Sequence, residues 1–206
     1  AVCAARAGFL YQAEMTVSGY SGATELSGFP VLVRISATSP SGFNYALCQA
    51  DGKDIAFYSP DGETAYPHEI EKWDTSGTSL IWVRVPALSG TGTKFLFRFG
   101  DASITSAPES KGAWASSAGG FYAGVWHFAY AVSTGSEKAA DSAKHDEEKN
   151  LDLTPKGSTA YAVSTTGKVG AGRVNTTDAS QPVYYETSLS GSFDPSPFLS
   201  LATTPS

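Results

Sequence analysis

An all-β protein, an antiparallel β-sandwich of jelly-roll-like kind with a β-rich C-terminal extension, is predicted by three observations. Residues 68–73 and 80–85 both alternate apolar and polar side chains and face each other across a Gly/Ser/Thr turn. A third alternating run at 94–99 follows a second turn of the same chemistry. Alternation over six residues, bounded by Gly, Ser, Asp and Pro, marks a strand with one buried face. No stretch carries a convincing helix of more than two turns.

The elements follow in order. Residues 10–17 alternate and predict a first strand, ended by Ser18, Gly19, Ser21 and Gly22. Residues 29–35 predict a second, opening on Pro30, where a missing N–H is tolerable. Phe29, Val31, Val33 and Ile35 share its core face. Residues 55–58 form a third strand, closed by a Pro60-Asp61-Gly62 turn. Pro86 is expected to stop the strand at 80–85. Residues 101–120, rich in Ala, Ser and Gly, predict a connector with one short helical turn. The aromatic run 121–130 reads as a further strand, and the charged run 137–150 as an exposed loop. Weaker strands are expected at 159–163 and 182–186, followed by an extended tail.

The chain has 206 residues, of which 41% are hydrophobic and 12% aromatic, enough for a substantial core. Only 17% are charged, below the usual quarter, and the deficit is filled by Gly, Ser and Thr as in extracellular β-proteins. The net charge of −6, with no basic run, argues against nucleic-acid partners. No apolar stretch reaches the ~18 residues needed to span a bilayer, so membrane insertion is not expected. The N-terminal residues lack the regions of a signal peptide, and an extracellular or cell-surface location implies that any such peptide is already removed. Two cysteines, Cys3 and Cys48, suit a disulfide in an oxidising compartment, worth roughly 3–4 kcal/mol for a loop of that length, with two separate thiols as the alternative.

The run FPVLVRI at 29–35, ADGKDIAFYSPDG at 50–62, HEIEKWD at 68–74, IWVRVP at 81–86, FLFRFG at 95–100 and GVWHF at 124–128 together resemble the bacterial and archaeal DUF2341 domain family. The similarity covers residues 8–128 and sets a first domain of 1–128. Ala7-Gly8-Phe9 stands where the family often opens with Trp, and Phe97-Arg98 where it often has Tyr. Residues 129–206 are similar to the start of a concanavalin- or laminin-G-like segment, by Asp141-Ser142, Leu153-Thr154-Pro155 and residues 167–171. The resemblance implies an exported, modular surface setting and no established activity.

Candidate functional residues follow from strand faces. Arg34, Arg84 and Arg98 each lie between two apolar residues and so point away from the core. Glu69, Glu71 and Trp73 share one face of their strand, Trp82 and Arg84 one face of the next. A hairpin register would gather them on one surface. Such a face is either a cross-strand charge ladder with two covering tryptophans, a sugar platform of indole faces and charged forks, or an inter-domain seam. A glycoside-hydrolase reading of Glu69 and Glu71 fails on position. They would lie ~7 Å apart, but neighbours on one strand cannot flank a substrate. His127, between Trp126 and Phe128, reads as a packed histidine; His68 and His145 have no nucleophile at motif spacing. Asp51, Asp54 and Asp61 read as turn formers. A calcium site using Asp141, Asp146 or Asp178 is implied only by the laminin-G-like resemblance and stays unassigned, and no other cofactor is expected. The leading expectation is a non-catalytic module binding glycan or attaching to a surface. The alternatives are a structural subunit assembling with its own copies by strand exchange and an accessory part of a secreted glycoside hydrolase.

Overall fold

The structure is a computed structural model. It describes residues 8–106, 111–114, 125 and 127, together with the backbone of four later strands. Seven strands build the sandwich: β1 (Tyr11–Thr16), β2 (Leu26–Ser36), β3 (Ile55–Tyr58), β4 (Ala65–Tyr66), β5 (His68–Lys72), β6 (Thr78–Leu88) and β7 (Lys94–Phe99). One sheet has the order β1-β7-β3-β4, the other β2-β6-β5, and every pairing is antiparallel. The chain changes sheet at Pro67, between β4 and β5, so this proline sits where no ladder needs its N–H.

The core lies between the sheets. Val31, Val33 and Ile35 of β2 and Ile81, Val83 and Val85 of β6 meet Ile55 and Phe57 of β3 and Phe95, Phe97 and Phe99 of β7. Each such side chain contributes roughly 1.5–3 kcal/mol on burial. The period of two in the sequence is what delivers them all to one face. Phe43 and Tyr45, from the loop and 3₁₀ turn (Tyr45–Leu47) between β2 and β3, plug one end. Phe43 packs at 5.1 Å from Phe99, and the Tyr45 hydroxyl donates to the Ile35 carbonyl at 3.0 Å.

Two expectations need correction. Phe29 begins the core-facing series of β2, yet it is 39% exposed, on a strand at the open edge of its sheet. Pro86 does not stop β6, which runs on to Leu88. The Arg84 N–H donates to the Pro67 carbonyl, on the β5 side of β6. Position 86 faces the same side, past the last β5 pairing of His68 with Val83, so its missing N–H breaks no ladder bond. The same geometry turns the ring nitrogen of Pro30, opposite Arg84, toward the open edge of β2. A proline there blocks continuous strand addition along that edge.

The short helix α1 (Lys111–Trp114) lies in the expected connector. Four strands follow, β8 (Leu153–Lys156), β9 (Ala162–Ser164), β10 (Gly172–Val174) and β11 (Tyr184–Thr187), pairing β8 with β11 and β9 with β10, both antiparallel. Two of them overlap the weak strands expected at 159–163 and 182–186. The expected strand at 121–130 falls almost wholly outside the described residues, as do Asp141, Asp146 and Asp178 of the calcium expectation. The expected Cys3–Cys48 bridge falls on Cys3, also outside them. Cys48 carries a free, half-buried thiol, its pKa pushed up to about 12 by burial first and by the Asp54 charge second. No helix among the described residues is long and apolar enough to cross a membrane.

Candidate functional site

The site is built on the outer face of the three-stranded sheet. The β5–β6 hairpin sets Glu69 opposite Trp82 and Ile70 opposite Ile81, then slips, so that Lys72 is opposite Leu80. Glu71 is the extra residue of this bulge. Bulges re-aim side chains, and here the consequence is specific. Glu69 and Glu71 both stay on the outer face, while Trp73 is turned to the inner one.

The two carboxylates share one imidazole. His127 Nδ1 lies 2.5 Å from Glu71 Oε2, and its Nε2 lies 3.2 Å from Glu69 Oε2. Each of those oxygens also accepts an indole N–H. Trp82 Nε1 donates to Glu71 Oε2 at 3.1 Å, and Trp114 Nε1 donates to Glu69 Oε2. The rings pack on one another, Trp82 at 5.2 Å from Trp114 and Trp114 at 5.6 Å from His127. Glu71 keeps only 3% of its side chain exposed, Glu69 14% and His127 21%.

Both imidazole nitrogens face a carboxylate oxygen, so both must donate, which requires the imidazolium form. The pKa is the balance of opposed causes. Burial, the largest, pushes His127 down; hydrogen bonds and charge from Glu69 and Glu71 more than reverse it and raise it to about 9. The group is therefore a charged clasp at neutral pH. It fastens α1, Val125 and His127 across the outer face of β5 and β6, where Ala113 and Trp114 form a small second core with Trp82 and Val125.

The five residues expected on one surface, with the further candidates Arg34 and Arg98, are divided by the structure. Glu69, Glu71 and Trp82 meet in the clasp. Arg84 lies on the same sheet face, its Nε donating to the Gly28 carbonyl at 3.3 Å. Arg34 is exposed on β2, paired in register with Leu80. Trp73 is not on this surface: it packs edge-on against Tyr45 at 5.2 Å and borders the main core. Arg98 is on the other sheet, 6% exposed, with its guanidinium 4.2 Å from the Tyr58 ring centre and its Nε 3.4 Å from Gln12 Oε1. The loop aspartates act in turns. Asp51 Oδ1 accepts the Lys53 N–H, Asp54 Oδ1 the Gln49 N–H and Asp61 Oδ1 the Glu63 N–H.

Trp114 and His127 were not linked to the carboxylates by the sequence. His127 lies 58 residues from Glu69, and no spacing rule reaches that far. The available signal is the lone histidine in an aromatic run, which names none of its partners.

Beside the clasp runs a shallow groove of about 570 Å³, bordered by Tyr20, Leu26, Phe29, Leu32, Trp82 and Leu88. Trp114 contributes to its floor and is 5% exposed. The Trp82 N–H is occupied by Glu71, which fixes the ring at the groove wall.

A family model described as a domain of unknown function, DUF2341, matches residues 51–116. The match takes in Glu69, Glu71, Trp82 and Trp114, but ends before His127. It supports the resemblance within those residues and does not extend to the concanavalin- or laminin-G-like segment. No curated protein and no solved structure matches the chain significantly.

Proposed function

We propose that the chain is a non-catalytic extracellular module that attaches to a surface by binding glycan in the groove beside the clasp. The observation that carries this reading is the groove's aromatic wall. Tyr20, Phe29 and Trp82 border one cleft, and the exposed Phe29 ring and the fixed Trp82 ring offer apolar surface of the kind that receives the C–H face of a pyranose. The low charge and the many Gly, Ser and Thr residues support an exported setting. The non-catalytic part is supported by the carboxylates, because Glu69 accepts from Trp114 and His127, Glu71 accepts from Trp82 and His127, and Glu71 is almost wholly enclosed.

A glycan array followed by calorimetry tests this. Binding should weaken by more than tenfold in Phe29→Ala and Tyr20→Ala, about 1.4 kcal/mol or more, with the fold retained. Absence of any glycan ligand, or binding that survives both changes, would remove the reading. Trp73→Ala is unsuitable as a site probe, since that ring is part of the interior.

A further inference from the structure

The aromatic groove does not stop at Leu32. β1 ends one sheet and β2 the other, and between these edge strands lies a second cavity of about 430 Å³, bordered by Met15, Thr16, Ser18, Arg34, Ser39 and Phe95. Val17, Ser18, Val31 and Leu32 border both spaces, so the two adjoin along β2. Pro30, Leu32 and Arg34 stand two residues apart on one face of that strand. Pro30 borders the groove, Leu32 both spaces and Arg34 the cavity. From Leu26 to Arg34 the strand spans roughly 26 Å, long enough for several linked sugars. The two ends differ in chemistry. One carries the rings of Tyr20, Phe29 and Trp82, the other the exposed residues Thr16, Ser18, Ser39 and Arg34. Arg34 is the one charged residue among the described residues that border either space, and its guanidinium has no hydrogen-bond or ion-pair partner among them. The chain has a net charge of −6, yet no carboxylate among the described residues borders this length.

We propose that the ligand of this extended groove is an acidic glycan of mixed neutral and uronate sugars, with neutral pyranoses on the aromatic end and one carboxylate paired with Arg34. This rests on the glycan reading above and specifies its ligand. A guanidinium presents parallel N–H donors that match the two oxygens of a carboxylate. The hydroxyls of Thr16, Ser18 and Ser39 suit the hydroxyls of a sugar ring. A single cation at one end selects a sparsely charged chain. A homopolymer of uronates would set further carboxylates beside Phe29 and Trp82, where no cation among the described residues answers them. A charged residue on an edge strand also discourages pairing with other chains. That role alone would leave glycan binding indifferent to the ligand's charge.

The test is a glycan array that pairs each uronate-bearing oligosaccharide with its carboxyl-reduced, neutral form, screened with the full chain. The tightest pair is then measured by calorimetry. The acidic member should bind roughly tenfold more tightly, the worth of one charge-assisted hydrogen-bonded pair. The gap should narrow as salt is raised. Arg34 is exposed, so its replacement leaves the fold intact. Arg34→Gln should bring the acidic member down to the level of the neutral one and leave the neutral one unchanged, whereas Phe29→Ala should weaken both. Equal binding of the two members, or a preference that survives Arg34→Gln, would overturn the acidic ligand and leave the glycan reading standing. A uronate homopolymer bound more tightly than every mixed chain would overturn it as well. No binding of any member would remove both readings together.

Discussion

Strand β5 places two histidine environments back to back, and they behave oppositely. On its inner face, His68 is surrounded by Phe57 and the core and is held neutral, with its pKa lowered to about 4. On its outer face, Glu69 and Glu71 receive His127 and hold it charged, with its pKa raised to about 9. Burial pushes both down. What separates them is whether a carboxylate is close enough to reverse the effect of burial. A buried histidine is therefore not one kind of group, and the alternation of a single strand is enough to make both kinds.

The largest expected effect comes from breaking the outer side. Glu71→Ala leaves the Nδ1–H of the imidazolium and the Trp82 N–H without an acceptor and should destabilise by about 3 kcal/mol, as removal of one partner of a buried pair does. Denaturant unfolding and the near-ultraviolet signal of Trp82 and Trp114 would read it. An unchanged midpoint would mean that the clasp holds nothing.

The two sides also give opposite pH limbs. His127, raised from 6.5 to about 9, stabilises fully below pH 6.5, and that contribution is lost as pH rises through about 9. A shift of that size corresponds to about 3 kcal/mol. His68 works in reverse, because the unfolded chain takes up its proton first. Its burial therefore costs stability as pH falls from 6.5 through about 4. Stability measured against pH should lose its alkaline limb in His127→Gln and soften its acid limb in His68→Phe. A wild-type profile flat from pH 6.5 to 9 would contradict the assignment of His127.

A smaller change probes the bulge that separates the faces. Gly52 has φ +71°, and a Cβ there would stand 2.5 Å from the Trp73 ring, which the bulge has turned inward. Gly52→Ala should cost about 2 kcal/mol, seen as a lowered melting temperature. Least of all, Glu14→Gln removes the exposed 2.8 Å pair with Lys94 on the other sheet. It should cost no more than about 0.5 kcal/mol.

The sandwich was legible because its strands alternate cleanly. The runs at 55–58 and 94–99 coincide with β3 and β7, and the core faces of β6 and β7 follow from period two alone. Trp73 was placed on the wrong face because a one-residue bulge inverts every side chain beyond it, and nothing in HEIEKWD announces where the slip occurs. Arg98 was grouped with Arg34 and Arg84 because all three point away from the core. Which of two sheets a strand joins depends on long-range pairing that alternation does not encode. Half of the clasp was visible as Glu69, Glu71 and Trp82. The other half, Trp114 and His127, arrives from later in the chain, so only the folded arrangement brings the imidazole between the carboxylates.

The central claim is that Glu69 and Glu71 hold His127 as an imidazolium and so close the outer face of the sheet. Its most direct test is the NMR titration of the His127 ring in the native chain and in Glu71→Gln. The account predicts a midpoint near 9 that drops toward 6.5 when the carboxylate is removed. A midpoint near 6.5 in both proteins would contradict it.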